Sequence, residues 1–183
     1  RYGGIRIMSE LRTNRIVPRD GLVSSTGKGG GIIQVVHGST GTLMSQTTID
    51  THYDTNLSAT ITPTRSDSKI LVMVSQMCTV RCTAAGQYAM SLDLVRTPAG
   101  GSSVIIIDGD DSASAMGNFH GRAGTPSSYN EQASMVPLNI LDEPATTVAV
   151  TYKTTALLST ANSTMKLQED GVKSFITLME VSG

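Results

Sequence analysis

Lys69-Ile70-Leu71-Val72-Met73-Val74-Ser75 is apolar at five consecutive positions. Strands that meet water on one side alternate apolar and polar residues, whereas a strand apolar at every position is covered on both faces. In a single β-sandwich only one face of such a strand meets the core. The second face therefore calls for a partner chain or an overlying loop, and Leu71 and Met73 are read as an oligomer interface.

Strand patterns continue on both sides of this stretch. Upstream, Ile32–His37 is followed by a turn at 38–41, a Thr-rich segment over 42–51, and Leu57-Ser58-Ala59-Thr60-Ile61-Thr62, which alternates and stops at Pro63. Downstream, Tyr88–Val95 alternates with Tyr88, Met90, Leu92 and Leu94 inward, and Pro98-Ala99-Gly100-Gly101 turns the chain into 103–107. Strand signals resume at 132–138, 146–154, 163–168 and 174–181. No amphipathic helix of three turns is visible. Roughly nine or ten short strands separated by turns predict an all-β fold, an antiparallel jelly-roll-like β-sandwich over residues 32–183.

Composition agrees. Ser and Thr make up about a quarter of the chain, aromatic residues 4% and charged residues 16%, against roughly 25% charged in ordinary globular proteins. Thr, Val and Ile suit pleated strands, and so low a charge content fits a surface partly hidden in an assembly or one rich in Ser and Thr. The formal net charge of −1 leaves no electrostatic footprint for nucleic acid. No apolar run is long enough for a membrane-spanning helix, so neither nucleic acid nor membrane insertion is expected. Cys78 and Cys82 lie on one face of a strand about 13 Å apart at roughly 3.3 Å per residue, beyond the ~7 Å limit for a disulfide; free thiols are expected.

Ahead of the sandwich, residues 1–24 read as an extended arm and residues 25–31 as a Gly/Ser hinge. Arg12, Arg15 and Arg19, with Ile16 between them, make the arm the most basic stretch; it is either a solvated tail or an attachment device that pairs with a neighbouring chain or an acidic socket. Residues 108–130 are irregular and form the longest loop candidate, and long loops on rigid scaffolds often carry binding. Asp110, Asp111, Asn118, His120 and Arg122 are its candidate contact residues.

Catalytic signatures are not evident. His37, His52 and His120 fall in different segments without ligand-like spacing, and no Gly-x-Ser-x-Gly elbow occurs. Asp108-Gly109-Asp110-Asp111 is the best cation candidate, but it lacks the downstream Glu of a calcium loop and reads more simply as a solvated turn. Asp93, Asp108, Asp110, Asp111, Glu131, Asp142 and Glu143 offer carboxylates that no spacing pairs for glycosidase chemistry. Gly27-Lys28-Gly29-Gly30-Gly31 lacks the Lys-Ser/Thr ending of a phosphate loop. No catalytic residue, metal or cofactor is assigned.

Taken together, these segments resemble a known group. The run Ser9-Glu10-Leu11-Arg12-Thr13-Asn14-Arg15-Ile16-Val17-Pro18-Arg19-Asp20-Gly21, then Gly31-Ile32-Ile33-Gln34-Val35-Val36, is similar to the opening of small tail-fibre-type virion proteins of tailed phages, notably those of cyanobacteria. Ala59-Thr60-Ile61-Thr62-Pro63, Ser68–Val74, Glu143–Lys153 and Phe175–Val181 match in order. The resemblance implies a structural virion protein of the tail or baseplate, a homotrimer, joined to other virion proteins through its arm and contacting a host surface glycan. A capsid-decorating or cementing subunit without receptor role is the competing structural reading, and a polysaccharide depolymerase the enzymatic one.

Overall fold

The computed structural model describes residues 31–83, 86–109, 118–123 and 130–182. Eleven strands run through them: β1 Ile32–Thr40, β2 Met44–Gln46, β3 His52–Ile61, β4 Lys69–Cys82, β5 Gly86–Pro98, β6 Val104–Ile107, β7 Asn118–Ala123, β8 Asn130–Asp142, β9 Val150–Leu158, β10 Ser163–Leu167 and β11 Ser174–Val181. A single 3-10 turn, Glu169–Gly171, separates the last two.

The strands form two antiparallel sheets. In the first, β8 pairs with one edge of β4 along its whole length, while β11 pairs with Lys69–Ser75 and β10 with Cys78–Cys82 on the other edge. β1 then flanks β11 and β2 flanks β10. This sheet is thus four strands wide, and two of its strands are interrupted partway. In the second sheet β3 pairs with β9, β9 with β5, and β5 with both β6 and β7. The chain changes sheet after β2, β3, β4, β7, β8 and β9, which is jelly-roll connectivity.

Alternation decides which residues fill the space between the sheets. Ile70, Val72 and Val74 of β4 point inward and are buried, as are Leu138 of β8 and Ile176 and Leu178 of β11. Tyr88, Met90, Leu92 and Leu94 of β5 face them from the other sheet, as their spacing predicts, beside the fully buried Tyr152 of β9. Each large apolar side chain buried this way contributes about 1.5–3 kcal/mol. One polar seam crosses this core. Thr154 Oγ1 donates to Gln76 Oε1 at 3.0 Å and lies 2.5 Å from Thr55 Oγ1. Gln76 Nε2 in turn donates to Ser174 Oγ at 3.1 Å, and Ser174 Oγ also accepts from Gln168 Nε2 at 2.8 Å. Buried amides and hydroxyls persist in a core only when paired like this.

Several boundaries differ from the sequence reading. The Thr-rich segment 42–51 contributes only the three residues of β2. β4 is twice as long as its apolar stretch, because Gln76 is satisfied inside the core and the strand continues through Arg81 and both cysteines. Neither cysteine is in a disulfide, and both are buried. The stretch read as an irregular loop over 108–130 contains β7, which pairs with the first half of β5. β8 starts at Asn130 and runs through Pro137, which a strand tolerates at a sheet edge, where no ladder donor is needed on the outer side. The arm of residues 1–24 and all of the hinge but Gly31 lie outside the described residues.

Candidate assembly interface

If Ile70, Val72 and Val74 point into the core, then Leu71 and Met73 point out of it, and the register determines their neighbours. Val35 of β1 pairs with Met179 of β11, Met179 with Leu71, and Leu71 with Leu141 of β8. These four apolar residues lie side by side in one row across the full width of the sheet, on its outer face. The next row is His37, Thr177, Met73 and Asn139, and the one after it is Ser39, Phe175, Ser75 and Pro137. Met77 and Met135 pair beyond them.

Exposure along these rows is high at the rims and intermediate in the middle. Val35 is 55% exposed, Leu141 51%, Phe175 39% and Met135 38%, while Leu71, Met73 and Met179 are half-buried by one another. The ring of His37 stacks on Phe175 with centroids 5.7 Å apart, and His37 Nδ1 lies 3.1 Å from Thr177 Oγ1. At one margin Lys69 Nζ donates to Glu143 Oε1 at 2.5 Å, and this hydrogen bond and charge hold the Glu143 carboxyl below its usual range. An exposed apolar row of this kind, beside rows that mix apolar and polar residues and bordered by a charged pair, marks a candidate interaction surface. The sequence reading named Leu71 and Met73 and missed Val35, Leu141, Phe175 and Met179. The alternation Phe175-Ile176-Thr177-Leu178-Met179 held the signal for two of these, because Ile176 and Leu178 had to be inward.

The outer face of the other sheet is chemically different. Asp93 is buried there, although it lies on the outer side of β5. His52 Nδ1 donates to Asp93 Oδ2 at 2.7 Å, Thr155 Oγ1 donates to the same oxygen at 2.9 Å, and the Gly109 amide donates to Asp93 Oδ1 at 3.0 Å. The backbone at Gly109 runs so close to β5 that a Cβ there would stand 2.2 Å from the Leu92 carbonyl oxygen. Beside this site Lys153 Nζ donates to Asp54 Oδ2 at 2.7 Å. Burial alone would raise the Asp54 pKa, but the Lys153 hydrogen bond and charge and the Asn56 amide bring it below its ordinary value.

Asp142 and Glu131, also singled out in the sequence, are engaged as well. Arg96 Nη1 donates to both oxygens of Asp142 at 2.7 and 2.9 Å, and Arg81 donates to Glu131. Among the described residues no group of three His, Cys, Asp or Glu side chains could hold a metal ion, and no helix is long and apolar enough to cross a membrane. Of the loop candidates, Asp110 and Asp111 lie outside the described residues. Asn118, His120 and Arg122 are placed by backbone pairing alone, opposite Ser91, Ala89 and Gln87. The attachment candidates Arg12, Arg15, Ile16 and Arg19 also lie outside the described residues.

No family model matches the chain, and no curated protein matches it. Among solved structures, the chain is similar to one described as "Structure of infectious bursal disease virus Gt strain", with 9% sequence identity and a TM-score of 0.35. The match covers 81% of this chain and spans 40% of that one, an extent of likeness that bears on neither function nor assembly.

Proposed function

We propose that the protein is a structural subunit of a phage particle, a tail-fibre, tail-tip or baseplate component. In this reading it assembles as a homotrimer through the outer face of the sheet centred on β4 and contributes to host-surface recognition. The observation that carries the assembly part is the row Val35–Met179–Leu71–Leu141, which puts four apolar side chains in register across the sheet. Leaving it in water forgoes stabilisation that contact with a neighbouring copy would supply, at about 25 cal/mol per Å² of apolar area covered. The particle context and the host-recognition role come from the sequence resemblance. Three copies would also strengthen weak single-site contacts with a cell surface by multivalency.

Sedimentation velocity on the full chain at micromolar concentration tests the assembly. The expected species is three times the 19.2 kDa chain, and Leu71→Lys combined with Met179→Lys should return it to the single-chain mass with its β-sheet spectrum unchanged. A wild-type protein that sediments as a single chain would sink the reading. Labelled trimer should adhere to host cells; a trimer that does not adhere favours a purely structural subunit.

A further inference from the structure

On the outer face centred on β4, the row His37–Thr177–Met73–Asn139 runs between two rows with exposed apolar side chains. Val35 stands on one side of it and Phe175 on the other. A partner surface that covers both therefore lies across His37, which is itself exposed. Among the described residues of these three rows, His37 is the one titratable side chain; the polar ones beside it, Thr177, Asn139, Ser39 and Ser75, are neutral. Histidine is the side chain whose ordinary charge change falls between about pH 5 and 8.

The charged groups of the neighbouring elements are turned away or paired. Glu180 of β11 is buried on the inward side. Lys173, ahead of β11, has its Cγ beside Gly41, past the end of β1. Lys69 and Glu143 pair with each other at the margin. β3 passes β1 where Gly38 meets Ser58, and its titratable residues come earlier along the strand: His52 on Asp93, Tyr53, and Asp54 on Lys153. An imidazolium at position 37 is well placed while the face is open. Nδ1 lies 3.1 Å from Thr177 Oγ1, a hydroxyl that can accept as well as donate. The Phe175 ring stacks on it, and an aromatic face is electrically negative. Water solvates the rest. Once apolar surface displaces that water, the charged ring is disfavoured relative to the neutral one.

We infer that His37 makes the assembly pH-sensitive: copies of this chain associate through this face when the imidazole is neutral and separate when it is protonated. The inference rests on the assembly reading above and adds its regulation. A proton shifts such an equilibrium only through its different affinity for the two states, and here the open face holds it better than the covered one. At about pH 5.5, roughly one unit below the ordinary histidine midpoint, excluding one proton per chain weakens association about tenfold per chain and roughly a thousandfold for three chains.

Sedimentation velocity of the full chain at about pH 8 and about pH 5.5 tests the inference, in a window above the ordinary carboxylate range. The wild type should dissociate across it with its β-sheet spectrum unchanged. His37→Gln should stay assembled at both values. His37→Arg carries a fixed charge and should be a single chain even at the higher pH, which reads the charge independently of the Gln variant. A wild type that stays fully assembled in acid overturns the inference and leaves the assembly reading standing. So does a His37→Gln protein that dissociates in acid as the wild type does, or a His37→Arg protein that assembles normally at the higher pH. A wild type that is a single chain at both values overturns the assembly reading and this inference with it.

Discussion

Tyr152 Oη donates to Asp142 Oδ2 at 2.7 Å, and this bond joins the two sheets of the sandwich, β9 of one to the end of β8 in the other. Arg96 of β5 adds its two contacts to the same carboxylate. Burial, and then the neighbouring Asp142, push the Tyr152 hydroxyl well above its ordinary pKa, so it stays a neutral donor. Tyr152→Phe should cost about 1–2 kcal/mol, because the carboxylate keeps its Arg96 partner. Asp142→Leu strands the guanidinium and should cost about 3–5 kcal/mol. Urea denaturation of the three proteins checks the order.

Glu180 lies fully buried in the same outermost inward row, next to Ile70. Burial raises its pKa, but donors from Thr64 N and Oγ1, both at 2.7 Å, and from Gln34 Nε2 at 2.6 Å outweigh this and leave it lowered. A folded-state pKa below the unfolded value of about 4.3 stabilises the fold above that pH and loses the contribution as pH falls through the folded value. Stability should therefore drop on the acid side of about pH 4.3, and Glu180→Gln should flatten that limb while lowering stability at neutral pH. Thermal melts across pH measure both.

Leu138 and Leu141 stand three residues apart on β8, with the first buried and the second 51% exposed. Leu138→Ala should destabilise the fold by about 2–5 kcal/mol. Leu141→Ala should stay within about 0.5 kcal/mol of wild type in folding, yet weaken self-association. Denaturation and sedimentation on the same two proteins separate core from interface.

Gly38 sits where β1 passes closest to β3; a Cβ there would come 2.3 Å from the Ser58 carbonyl oxygen. Backbone cannot retreat as a flexible side-chain end can, so Gly38→Ala should cost about 1–3 kcal/mol as overpacking does. A midpoint unchanged in urea would contradict the close approach of the two strands.

Burial pushes the Cys78 thiol far above its ordinary pKa. The thiolate is the reactive form, so Cys78 should resist alkylation in the native protein and react once it is unfolded. Mass spectrometry after brief iodoacetamide treatment reads this directly.

The core of the fold could be read from local pattern. Period-2 alternation placed Tyr88, Met90, Leu92 and Leu94 inward, and the unbroken apolar run at 70–74 marked a strand with two faces to cover. Where reading stopped short, a polar residue was satisfied from far along the chain. Gln76 looks like the end of a strand until Ser174 and Thr154 supply its partners, 98 and 78 residues away. Asp93 looks like an outward surface residue until His52, Thr155 and Gly109 close over it.

The sequence by itself therefore determined the strand-rich class, the inward residues of β5 and the absence of a Cys78–Cys82 disulfide, because these follow from side-chain period and chain geometry over a few residues. Only the tertiary structure decided that Leu71 shares a row with Val35, Met179 and Leu141, and that Arg81 and Lys166 meet over Glu169. Both depend on sheet order and register, which bring together residues far apart in the chain and which no local pattern encodes.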